Sequence, residues 1–178
     1  VLPLLPQELR AALEPLVAVI ADVTDRIGVF DKDVEAWSQR FPVTQRLRQI
    51  RGVGALTALT FVLILDDPHR FARSRAVGAY LGLVPASRSS GRSTPQLPIT
   101  RQGDNLMRRL MVQAAHYILG PFGEDSDLRS FGLELARRGG KSGKKRAVVA
   151  VARKVAVVMH RLWVSGEDYR THRLLPVM

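Results

Sequence analysis

Apolar residues recur at alternating spacings of four and three along the first segment: Leu9, Leu13, Leu16, Ile20, Val23, Ile27, Phe30, Val34, Trp37 and Phe41. That is a heptad seam, which keeps one stripe of a helix facing a partner helix. Pro15 and Gly28 are poor helix-interior residues, so a kink or a start near Pro15 is expected. The seam could rest on the chain's own body as one amphipathic helix. Its length and strictness favour a coiled coil with another copy.

After Phe41-Pro42 the pattern shortens. Pro42 can open a helix in which Val43, Leu47 and Ile50 share a face, and Thr57 to Leu65 is an apolar helix. Between them stands Arg51-Gly52-Val53-Gly54. Helix, apolar-Gly-apolar-Gly, helix is the pattern of a helix-hairpin-helix element over 43–65. Its glycines, Gly52 and Gly54, would let backbone N–H groups approach a phosphate at a helix N-terminus. A plain helical hairpin with a Gly turn fits equally well. A dinucleotide fingerprint does not fit, because Thr57 occupies the third Gly position and no strand precedes it. Asp66-Asp67-Pro68-His69 reads as a polar turn rather than a metal site, since no further ligand is evident. Ser74 then caps a short helix through Tyr80 and Leu81, closed by Gly82.

A long loop over 84–104 carries Pro85, Pro95 and Pro98 among polar residues. Loops of this length are functional or disordered. Ser89 and Ser90 stand beside Gly91, flanked by Arg88 and Arg92, and Arg101, Asn105, Arg108 and Arg109 follow. A serine oxygen could attack phosphorus while guanidinium groups hold the non-bridging oxygens. The residues alone favour plain turn chemistry for both serines, because nothing local supplies a base. Asp104 caps the next helix, with Leu106, Leu110, Ala114 and Tyr117 as its buried stripe. Arg108 and Arg109 cannot both share that stripe, and His116 reads as a packed or surface residue. Gly120-Pro121-Phe122-Gly123 breaks the chain before a helix through Leu128, Phe131 and Leu135. The run 137–146, with Lys141, Lys144, Lys145 and Arg146, is a flexible basic loop suited to phosphates, or a solvated one. Gly140-Lys141-Ser142 lacks the first glycine and the strand of a nucleotide-binding loop. Ala147 to Val164, apolar on most faces, is the expected central helix, with Arg153, Lys154 and Arg161 outward. The tail bearing Tyr169, His172 and Arg173 is expected to be partly disordered.

Composition sharpens this picture in one respect. The 178 residues suffice for one domain with a core, and 46% hydrophobic with 24% charged content describes a folded chain. With no cysteine there is neither a disulfide nor a thiolate site, which fits a reducing, cytoplasmic setting. No apolar run is long enough for a membrane span, and the N-terminus lacks signal-peptide features. A chain that starts at Val1 reads as a fragment. The net charge of +11 is uneven: residues 1–50 hold six basic and seven acidic residues, and the remainder holds 21 and nine. A neutral segment joined to a basic body implies a polyanionic partner for the body.

Taken together, Ala79-Tyr80-x-Gly82-Leu83-x-Pro85, Ser90-Gly91 and Gly103-x-Asn105-x-x-x-Arg109 resemble the C-terminal serine-bearing domain of bacterial insertion-sequence transposases related to the Piv invertase. The resemblance extends over most of the chain after Phe41. It implies a helical domain whose serine forms a covalent phosphoserine link to DNA, with Ser90 the best match and Ser89 the alternative. Thr100-Arg101 stands where the family usually has Ser-Lys, keeping hydroxyl and charge but not their geometry. It further implies a structured guide RNA, a coiled coil preceding the domain, and Arg109 directed at the serine loop. An acidic tetrad on a separate RuvC-like domain would hold magnesium. Asp22, Asp25, Asp31 and Asp33 lie in the heptad segment and do not match that domain, so no cofactor is expected on this chain itself.

The expectation is an all-α chain: a coiled-coil helix over 1–41, a serine domain over 42–166 and a tail over 167–178. Its expected partners are DNA, guide RNA and further copies of itself, with no membrane. A non-catalytic nucleic-acid-binding module and a purely oligomerising domain remain the alternatives.

Overall fold

The computed structural model describes residues 6–86 and 97–172, with the backbone alone at Lys141. The described residues are helical, without a named strand: α1 (Gln7–Gln39), α2 (Val43–Leu47), α3 (Ala55–Leu65), α4 (Arg75–Tyr80), α5 (Asn105–Leu119), α6 (Asp127–Arg138) and α7 (Gly143–Ser165). Short 3-10 turns at Pro68–Arg70 and Gly140–Ser142 precede α4 and α7. No described helix is long and apolar enough to cross a membrane.

The expected central helix is central. α7 packs against α2, α4, α5 and α6, and it buries Ala147, Val151, Ala152, Val155, Ala156, Met159, His160 and Leu162. Alanine alternating with branched residues gives a surface that neighbours approach closely. A Cβ on Gly132 of α6 would lie 2.5 Å from Val151, and one on Gly78 of α4 would lie 2.7 Å from Arg153. Side chains interdigitating at that separation supply the dispersion and burial that hold the bundle. α3 is apolar on nearly every face and closes the other side, with Phe61 fully buried and tilted against Trp163 at 6.3 Å.

Several expectations need correction. α1 begins at Gln7 and continues through Pro15 and Gly28, so no start occurs near Pro15. It does not lie along its own domain either: every residue from Gln7 to Asp33 is exposed except Leu13, and Ile20 and Phe30 are more than 60% exposed. Only its C-terminal end docks. There Ser38 is buried and donates to Thr44 Oγ1 at 3.0 Å, while the Thr44 hydroxyl donates towards the Ser38 and Phe41 carbonyls at 2.8 and 2.7 Å. On α5 the stripe is rotated by one position: Met107, Met111, Ala115 and Ile118 are buried with Leu110 and Ala114, while Leu106 and Tyr117 are each 42% exposed. Because α7 covers α5 over a wide arc, a four-residue spacing alone misplaces the stripe's centre. The basic run 137–146 is helical rather than a loose loop, since α6, the 3-10 turn and α7 follow almost without a break.

The described part of the tail, up to residue 172, is tied to the body, and Arg173 lies outside the described residues. Tyr169 N donates to Gln49 Oε1 at 2.7 Å, Gln49 Nε2 donates to Asp168 Oδ1 at 3.0 Å, and Asp127 N donates to the Thr171 carbonyl at 3.0 Å. Residues 168–171 are thus strapped from the turn after α2 to the start of α6. Burial, and secondarily the Asp127 carboxylate, pushes the Tyr169 phenol above its ordinary value of 10.0. The unfolded chain therefore loses this proton first, so the contribution is complete below pH 10 and is lost as pH rises through the folded value. Urea midpoints measured from about pH 9 to 11 should fall more steeply for the wild type than for Tyr169→Phe; parallel profiles would refute the buried phenol.

Candidate functional site

The ends of segment 87–96 are fixed by backbone against backbone. α4 closes with Leu81 N donating to the Val77 carbonyl and Leu83 N donating to the Gly78 carbonyl at 2.9 Å. Gly82 then adopts φ +68, and a Cβ there would stand 2.0 Å from the Gln102 carbonyl oxygen. Gly103, at φ +84, would place a Cβ 2.0 Å from the Tyr80 carbonyl oxygen. Each glycine makes room for the other stem's main chain, a close approach no other residue permits. Beyond this crossing, Thr100 N donates to the Val84 carbonyl, Ala86 N donates to the Pro98 carbonyl, and Pro85 bridges Ile99 in antiparallel fashion. Ser89 and Ser90, with Arg88 and Arg92, lie outside the described residues.

Three arginines surround this stem. Arg101 is exposed and holds φ +57, a left-handed conformation that costs a side-chain-bearing residue about 1 kcal/mol. Arg108 staples the stem to α5: Nη1 donates to the Gln102 carbonyl at 3.2 Å and Nη2 to Asn105 Oδ1 at 3.1 Å. Arg109 is exposed in the same turn, so the two are divided between bracing and display. Asp104 Oδ1 accepts from Met107 N at 2.7 Å, capping α5 as its sequence implies. Among the described residues, the Thr100 hydroxyl oxygen is buried without a hydrogen-bond partner.

Sequence reasoning missed His160. It is buried at the stem's back, with Nε2 2.8 Å from the Pro68 carbonyl and Nδ1 3.0 Å from Ser74 Oγ. A carbonyl only accepts, so Nε2 carries the proton and, in the neutral ring, Nδ1 accepts from the Ser74 hydroxyl. Ser74 thus stands at the start of α4 but makes no side-chain cap bond there. Its hydroxyl ties α4 to α7. The available signal was a lone histidine within the apolar face Val155, Ala156, Met159.

The other candidates lie elsewhere. Gly52, at φ +90, faces α5: a Cβ would be 3.0 Å from the Ala114 carbonyl oxygen and 3.1 Å from Tyr117. Gly54 is the N-cap of α3 with open space around it. This hairpin meets the C-terminal half of α5, about 14 Å along that helix from Asn105 at 1.5 Å per residue. Arg51 pairs with Glu124 at 2.6 Å. Lys144, Lys145 and Arg146 are exposed on the first turns of α7, with Arg146 also bonded to the Gly139 carbonyl. Lys141 is described by its backbone only. Asp67 Oδ1 accepts from His69 N at 2.8 Å, a turn bond. Among the described residues, no three His, Asp or Glu side chains come together in a group that could hold a metal ion.

Residues 44–127 match the family described as transposase IS116/IS110/IS902. That stretch runs from α2 to the start of α6 and includes the glycine hairpin and both loop stems, but neither α1 nor the basic turn. The chain is 32% identical, over 93% of its length, to the transposase for insertion sequence element IS1111A of Coxiella burnetii, covering 45% of that protein. It is 41% identical over 40% of its length to the transposase for insertion sequence element IS1328 of Yersinia enterocolitica, covering 21% of that protein. The chain therefore spans less than half the length of these relatives.

The crossing of the stems makes one quantitative prediction. Gly103→Ala combines a positive φ with a 2.0 Å overlap on the Tyr80 carbonyl and should cost about 3 kcal/mol or more in urea unfolding. Gly140→Ala, at φ +60 in open space, should cost only about 1 kcal/mol. Equal losses would show that the stems do not cross as described.

Proposed function

We propose, on the premise that residues 44–127 form a transposase domain of the IS116/IS110/IS902 family, that this chain is the strand-cleaving part of an insertion-sequence transposase. The observation that carries this reading is the glycine crossing. It fixes both ends of the serine segment while Arg101, Arg108 and Arg109 stand around its base. Ser90, with Ser89 as alternative, attacks a DNA phosphorus. An Oγ–P bond forms, the bond from phosphorus to a deoxyribose oxygen breaks, the serine proton passes to a base, and the departing oxygen takes up a proton. Arg109 and Arg101 are free to meet the non-bridging oxygens as their charge grows, whereas Arg108 holds the stem in place.

Gly54 at the open N-terminus of α3, with the basic turn at Lys144 and Lys145, grips phosphates farther along the nucleic acid. A structured guide RNA would meet the same positive surface as DNA. The magnesium-binding carboxylates belong to a RuvC-like domain outside this stretch. When bound there, the metal supplies Lewis-acid activation of the phosphate. The seam of α1 is closed by another copy of the chain, because a continuous apolar stripe on a 33-residue helix is covered most simply by a second such helix.

Two experiments test this reading. On a nicked suicide duplex with magnesium, using the transposase that carries this chain, a denaturing gel should show a covalent protein–DNA adduct. It should be lost in Ser90→Ala, kept in Ser89→Ala, and lowered on the order of a hundredfold in Arg109→Ala. An adduct that survives both serine changes would contradict the assignment. In sedimentation, Ile20→Glu with Ile27→Glu should turn a dimer or larger assembly into a monomer with unchanged helix content; a wild-type chain that sediments as a monomer would refute the shared seam.

A further inference from the structure

Beside the loop stem lies a cluster to which the reaction above gives no task. Tyr80, the last residue of α4, is 37% exposed, and its own carbonyl is the group packed against Gly103. Its ring is therefore mounted on the crossing itself. Phe71 meets Tyr80 edge-on, with centroids 5.2 Å apart at 67°, and meets the buried His160 ring edge-on at 5.6 Å and 89°. The tyrosine is thus braced from the core through two rings. The guanidinium carbon of Arg70 lies 5.6 Å from the Tyr80 centroid and 5.8 Å from that of Phe71, while its Nη1 donates to the Leu65 carbonyl at 3.3 Å. An exposed ring, a cation held over it and a rigid backing form a π-platform rather than a loose surface residue.

The charge around it selects a polyanion. Residues 68–86 and 97–109 hold six arginines and one carboxylate, Asp104, which is bonded to the first turn of α5. Of the two neighbouring acids, Asp67 is turned onto the His69 amide. Backbone phosphates would be attracted here, and the ring offers the one thing phosphates do not use, a flat apolar face.

We propose that Tyr80, backed by Phe71 and Arg70, stacks one unpaired base of a DNA strand bound along this stem. The inference rests on the nucleic-acid reading of this stem and adds what holds the strand's base. A duplex hides its base faces in the stack, so only a base freed from pairing can lie on this platform. Strand cleavage and exchange create such bases next to the reacting phosphate. Stacking takes any base, so Tyr80 positions the strand without reading its sequence.

The test uses the full chain and a single-stranded DNA oligonucleotide carrying 2-aminopurine, with a duplex of the same sequence as reference. Wild type should quench the 2-aminopurine in the single strand, and Tyr80→Phe should keep that quenching. Tyr80→Leu should lose the quenching and bind the single strand on the order of tenfold more weakly, with duplex affinity unchanged. Arg70→Gln, a surface change that spares folding, should weaken single-strand binding several-fold beyond its effect on the duplex. Tyr80→Leu or Arg70→Gln binding and quenching as wild type does, while duplex binding persists, overturns the platform and leaves the interface standing. Equal losses on duplex and single strand would reduce Tyr80 to a structural residue and also overturn it. Loss of all wild-type nucleic-acid binding would sink both readings. Tighter binding of the matching RNA than of DNA would overturn assignment to the DNA strand.

Discussion

The carbonyls of Gln102 and Tyr80 occupy the space where Gly82 and Gly103 would carry side chains, and the arrangement of the candidate site follows from that exclusion. Two chain segments twenty residues apart pass within main-chain contact, each made possible by a positive φ that glycine adopts without strain. The short ladder beyond, from Val84 to Thr100 and Ala86 to Pro98, closes the ends of the serine segment. Closing a loop at its base removes most of the freedom its ends would have, whatever residues the loop carries. Arg101, Arg108 and Arg109 take their positions from the same crossing. Moving either glycine's backbone would move all three.

α7 is what the crossing rests on. Its Ala and Val surface admits α4 so closely that Gly78 sits beneath the Arg153 side chain, and His160 ties the start of α4 through Ser74 and the Pro68 carbonyl. The histidine ring carries Phe71, and Phe71 carries Tyr80. Core packing is thereby transmitted to the loop stem through hydrogen bonds and ring contacts. α1 contributes little to this support: only its last residues dock, through Ser38 and Thr44.

Periodicity revealed the helices because it reports burial directly. The α7 core and the long α1 helix were both legible, as was the capping of α5 by Asp104. The exact stripe of α5 was not, since Leu106 and Tyr117 keep helical spacing yet face outward; which arc is covered depends on α7, a contact spacing does not encode. The docking of residues 168–171 was not legible, because their bonds run to Gln49 and Asp127, partners more than forty residues distant. At the site, Gly82 was legible as a helix-closing glycine, but its partnership with Gly103 was not, because their separation along the sequence conceals a contact between main chains. Arg108 and Arg109 looked interchangeable in sequence. Their division depends on where the Gln102 carbonyl and Asn105 lie. His160 went unnoticed since both of its partners are distant in the chain.

The most direct measurement of this account is native-state hydrogen exchange at three amides: Leu83, bonded to Gly78, Ala86, bonded to Pro98, and Thr100, bonded to Val84. If the crossed stems are one rigid unit with α7, these amides should exchange slowly and together, with opening free energies approaching that of the α7 core. Exchange of Ala86 and Thr100 at rates near those of an unstructured peptide, while α7 stays protected, would show that the stems are not locked. The arginines would then have no fixed place around the stem.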